Sequence, residues 1–137
     1  MNITDYDSLL TVARQQIQPQ YFLFVFLKVS LPADHKGNEE FRFIAGIGGE
    51  LTPVMTLHKP LNELTSFTDL VLESNEQKRQ WDLVSIAILE GKNGVSATDD
   101  QALEQLEIMM KTVETGGSLN KYMTFSKKGT PIQFTMS

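Results

Sequence analysis

One stretch constrains this chain more than any other: Tyr21-Phe22-Leu23-Phe24-Val25-Phe26-Leu27, apolar at both alternating positions until Lys28. Successive side chains of a strand point to opposite faces, so a strand built from this run needs cover on both. Its aromatic and β-branched content suits the middle of a sheet rather than a wet edge. As a membrane span it is far too short, since a bilayer needs about 20 apolar residues. The 137 residues are read as a single domain, 1–137, with enough chain to bury a core.

The remaining elements fall around that strand. Tyr6, Leu9, Leu10, Ala13 and Ile17 recur at helical steps, which predicts a helix over about 5–16 with Thr4 as N-cap and Pro19 as stop. Leu51 to Leu57 reads as a second strand, placed at an edge or bulged by Pro53. His58-Lys59-Pro60 opens a connection. Ser66 with Asp69 starts a helix running to about Lys78 that buries Phe67, Leu70 and Val71. Trp81 to Leu89 is a third strand, closed by the turn Gly91-Lys92-Asn93-Gly94. Thr98 and Gln101 form a capping box for a helix over 99–115, with Leu103, Leu106, Met110 and Val113 inward and Gly116 as its stop. Lys121–Phe125 and Thr130–Met136 make a hairpin around Ser126-Lys127-Lys128-Gly129, and Pro131 sets its second strand at an edge. The order α-β-β-α-β-α-β-β predicts an α+β fold: a mixed, mainly antiparallel sheet with helices packed on it. Phe24 and Ile86 are expected in its buried centre.

Composition excludes several functions. The net charge is -5, from twelve Lys+Arg against seventeen Asp+Glu, which opposes general nucleic-acid binding. The absence of cysteine removes disulfides, thiolate zinc sites and thiol chemistry, and fits a reducing cytoplasm. The opening Met1-Asn2-Ile3-Thr4-Asp5 does not read as a signal peptide.

No motif commits the chain to one chemistry. Gly46-Ile47-Gly48-Gly49 has the glycines of a phosphate-cradling loop, but Leu51 stands where the dinucleotide fingerprint needs glycine, and Glu50 would repel an anion. His35 and His58 lie in different predicted loops without metal-ligand spacing, so no metal and no cofactor is expected. The acidic pair Asp99-Asp100 is explained by a helix N-terminus. Lys78-Arg79 and Lys127-Lys128 read as solvated surface, and Met109, Met110 and Met123 as packing.

Several strings together carry a resemblance. They are Phe22-Leu23-Phe24-Val25-Phe26, Gly46-Ile47-Gly48-Gly49-Glu50-Leu51, His58-Lys59-Pro60, Trp81-Asp82-Leu83-Val84 and Phe125-Ser126-Lys127-Lys128-Gly129-Thr130-Pro131. In these the chain resembles a family of small, uncharacterised proteobacterial proteins often labelled ribonucleotide reductase subunit alpha. The likeness spans nearly the whole sequence, but its motifs are turns, caps and strand cores. The label itself fails on chemistry: that reduction needs cysteines, and this chain has none.

Three function classes follow. The first is a non-enzymatic interaction module that binds another protein. The second is a small ligand-binding domain or enzyme using Gly46, Gly48 and Gly49 with His58 and Lys59. The third is an acidic, homodimeric chaperone-like adaptor. A homodimer is favoured over a monomer on two grounds: the exposed edge of the last strand, and a shortage of helix to cover both sheet faces.

Overall fold

The computed structural model describes residues 5–30, 50–115 and 122–132. The expected Gly46–Gly49 turn, His35, the ambiguous stretch 39–45 and Gly116 lie outside them. Asp5, rather than Thr4, caps the first helix, α1 (Tyr6–Arg14): its carboxylate accepts the Ser8 amide at 2.8 Å, and its own amide donates to the Ser8 hydroxyl at 3.0 Å. The helix ends two residues earlier than its apolar period suggested, so Ile17 leaves the core face and stands 95% exposed.

Strand β1 (Gln20–Ser30) pairs antiparallel with β2 (Glu50–Pro60) on one side and with β3 (Leu83–Glu90) on the other. Strand β4 (Met123–Ser126) continues the sheet from β3, and β5 (Pro131–Ile132) closes it, giving the order β2-β1-β3-β4-β5. Every described pairing is antiparallel. Both expected edge strands are edges of the sheet among the described residues. The bulge predicted near Pro53 is also present: Phe26 faces Met55 while Leu27 faces Pro53, which leaves Val54 over. At the end hairpin the Gly129 amide donates to the Ser126 carbonyl at 2.9 Å, and Gly129 takes a φ of 90°, the left-handed conformation that glycine adopts without steric cost.

Helix α2 (Phe67–Asn75) starts on Ser66, whose hydroxyl accepts the Asp69 amide at 3.1 Å. It stops three residues short of Lys78 and fully buries Leu70, with Phe67 and Val71 partly covered. Helix α3 (Asp99–Glu114) carries the predicted Thr98–Gln101 box. Its buried stripe is Ala102, Leu106, Met109 and Val113. Leu103 is 51% exposed and Met110 only half-buried, so the helix sits rotated from the expected register.

The layers follow from β1. Phe22, Phe24 and Phe26 point to one side, under α1 and α2, with Trp81, Val84, Ile86 and Phe125. Tyr21, Leu23, Val25 and Leu27 point to the other, under α3. All residues from Phe22 to Leu27 are 0% exposed, so one chain covers both faces of its central strand. That removes the face-coverage argument for a second copy. Phe24 and Ile86 are buried in adjacent strands, as expected, and face each other across β1 and β3. Trp81 precedes β3 instead of opening it. Its ring meets Phe26 edge-on at 4.9 Å, and its Nε1 donates to the buried Ser74 hydroxyl at 2.8 Å.

Candidate functional site

His58 and Lys59 were expected to open a loop. They lie instead near the end of β2, where strand alternation separates them. Lys59 faces Phe22 in the register, and its Nζ pairs with Glu73 of α2 at 2.9 Å. His58 faces Leu23, on the α3 side. The two side chains therefore cannot converge on one ligand, and the glycines proposed to join them fall outside the described residues.

His58 is also not a solvated histidine. Its Nδ1 lies 2.7 Å from the Tyr21 hydroxyl, and the two rings stack with centroids 5.8 Å apart. The Tyr21 hydroxyl donates to Asp99 Oδ1 at 2.6 Å. Burial, followed by the hydrogen bond and negative charge of Asp99, pushes the Tyr21 hydroxyl up to about 12. Tyr21 therefore keeps its one proton near neutrality and gives it to Asp99. The proton in the His58 contact must then sit on Nδ1, and Nε2 is the nitrogen left for other partners. Asp99 reaches this position because it is the first residue of α3. The relay joins β2, β1 and α3 at one end of the sheet. Asp99 had been assigned only to the helix dipole, and a contact across 78 positions leaves no local signature.

Beside the relay, at the same end of the sheet, lies an open groove of about 570 Å³. Its described walls are the last turn of α1 with Ile17, the link Gln18-Pro19-Gln20, the end of β2 at Pro60, Leu61 and Asn62 of the 3-10 turn that follows it, Leu64 and Ser96. The volume falls in the range of small-ligand and peptide sites. The link is held rigidly. Gly91 N donates to Pro19 O at 2.8 Å, and Gly94 N to Gln18 Oε1 at 2.8 Å. A side chain at Gly91 would collide with the Val95 carbonyl, so this close approach requires glycine. The Arg14 guanidinium donates to the Leu64 carbonyl at 3.0 Å. No part of this groove was anticipated from the sequence. The available signal was Ile17, one apolar step too far along a helix that Pro19 forces to stop.

Two further contacts of polar groups serve the fold. The hydroxyls of Ser85 and Thr124 bond each other at 2.7 Å beneath α3. Lys127, read as solvated, lies over the Trp81 ring at 5.1 Å. Among the described residues, no group of three or more His, Cys, Asp or Glu side chains is placed to hold a metal ion. No helix among them is long and apolar enough to cross a membrane. Comparison of the chain with protein families, with curated proteins and with solved structures finds no match.

Proposed function

We propose that the protein is a binding module that acts on another protein through the groove at the end of its sheet. The observation that carries this reading is Ile17. It is 95% exposed on the rim of a formed groove, in a chain whose central strand is completely covered from Phe22 to Leu27. What supports an anchoring role is its setting beside a concave surface with Ala13, Leu61 and Leu64 in the lining, since partner anchors seat in such pockets. The reading agrees with the separation of His58 from Lys59, which weakens the ligand or enzyme alternative built on that pair. The cysteine-free composition goes with a cytoplasmic setting.

Site-specific photo-crosslinking in the native cell tests the proposal. A crosslinker at position 17 is expected to capture a discrete partner that one at the exposed Glu107 on α3 does not. Replacing Ile17 with Asp should abolish that partner's co-purification while leaving thermal stability intact. Position 17 capturing nothing beyond the Glu107 control would defeat the proposal.

A further inference from the structure

We infer that the groove is shaped for the carboxy-terminal carboxylate of a partner chain whose last side chain is apolar, an inference that rests on the binding reading above. The first argument is charge. Among the described residues that line the groove, Arg14 is the only formally charged one, although the chain as a whole is at -5. One of its N–H groups is committed to the Leu64 carbonyl, which anchors the guanidinium. The donors that remain form the planar fork that matches a carboxylate. A described lining with one cation and no acid, in an acidic protein, is the charge complement of an anion.

The second argument is the amides. Gln20 lines the groove and is 7% exposed; its Nε2 donates to the Gln18 carbonyl at 3.1 Å. Gln18 in turn spends its Oε1 on Gly94. Among the described residues, Gln20 thus retains an acceptor and Gln18 a donor group. One of each is the complement of a peptide unit, which presents an N–H and a C=O. The third argument is the apolar part. Ile17 stands on the rim, and Ala13 and Leu64, at 4% and 6% exposure, lie among the lining residues. A small aliphatic acid would engage Arg14 and the apolar lining but leave the amides unused. A chain terminus uses all three.

Titration of the isotope-labelled full chain, followed by NMR, tests this with three probes: acetylated alanyl-alanyl-leucine as free acid, the same tripeptide as carboxamide, and hexanoate. The free acid should shift backbone resonances between Arg14 and Gln20 and between Leu61 and Leu64. Its affinity should exceed the carboxamide's by about tenfold or more, since a charge-assisted hydrogen bond is at stake. Hexanoate should bind more weakly than the free acid. Arg14→Gln should erase the preference for acid over amide, and Arg14→Lys should restore part of it. If Arg14→Gln fails to fold, the acid-to-amide ratio on the unaltered chain decides alone. Equal affinity for acid and carboxamide overturns the inference, as does hexanoate binding as tightly as the tripeptide, or shifts confined to another surface. Partner capture at position 17 without acid preference would sink the terminus and spare the module. Acid preference without capture would spare the groove chemistry and sink the protein-binding reading.

Discussion

The two faces of the sheet share a central strand and are built on different principles. Under α1 and α2 the face is aromatic. The Tyr6 ring lies 5.4 to 6.4 Å from those of Phe24, Phe67 and Phe125, and Phe26 meets Trp81 at 4.9 Å. Under α3 the face is aliphatic, with Leu23, Val25, Leu27, Leu83, Ala102, Leu106 and Val113. Polar groups are placed differently too. The aromatic side buries Ser74 as the acceptor for Trp81. The aliphatic side carries the Ser85–Thr124 pair inside and the Tyr21–His58–Asp99 relay at its end. The aromatic face is covered by two helices of 9 residues each, and the aliphatic face by the single 16-residue α3.

The largest expected effect tests the filling of volume. Phe24→Ala should cost about 3–5 kcal/mol and Leu23→Ala about 2–4 kcal/mol, read from urea midpoints at constant slope. Both side chains are 0% exposed, so the ranking reflects ring volume and not access. If Leu23→Ala proved the more damaging, the aromatic face would not be the denser one. Next comes Ser74→Ala, which strands the Trp81 N–H in a buried site and should cost about 1–3 kcal/mol. On the other face, Ser85→Ala or Thr124→Val alone should each cost about 1–2 kcal/mol, because each leaves a buried hydroxyl unpaired. Together they should cost less than the sum of the two, a coupling that a double-mutant cycle reads directly.

The smallest effect belongs to the relay. Tyr21→Phe should cost about 1 kcal/mol at neutral pH. Its signature lies in alkali. Folding holds the Tyr21 proton more tightly than the unfolded chain does, from an ordinary value of 10.0 up to about 12. That contribution is complete below pH 10 and is lost as pH rises from 10 to about 12. Tyr6, raised further by burial, adds in the same direction. Stability should therefore fall steeply above pH 10, and less steeply in Tyr21→Phe. A slope unchanged by the substitution would show that the aromatic face alone sets alkaline stability.

Sequence made the fold legible wherever a local rule sufficed. The two-sided strand, the caps at Ser66 and Thr98, the bulge near Pro53 and the left-handed Gly129 each follow from neighbouring residues. Errors came where a local period ran past its cause. Ile17 continued the α1 stripe arithmetically, after the helix itself had ended at Arg14. Met110 and Leu103 satisfied a three-and-four spacing as well as Met109 and Ala102 did, and only packing against Leu23 and Val25 selects between them. His58 and Lys59 looked like loop because Pro60 follows, yet an edge strand tolerates proline at its end. The site was less legible still. Its groove and relay join segments from α1, β1, β2 and α3, and no spacing in one segment reports a partner in another.

The central place of β1 also sets an order of events during synthesis. The most apolar strand is made before either strand it pairs with, and β2 follows it soon enough to form a hairpin on one side. Its other neighbour, β3, brings Ile86 to Phe24 only after roughly 60 further residues, or about 3–12 s at ordinary translation rates. Through that interval one long hydrogen-bonding edge and an aromatic face wait without their partners. The nascent chain is therefore most vulnerable to premature association while the residues between β1 and β3 are being made, and a slower ribosome would lengthen that exposure without changing a single native contact.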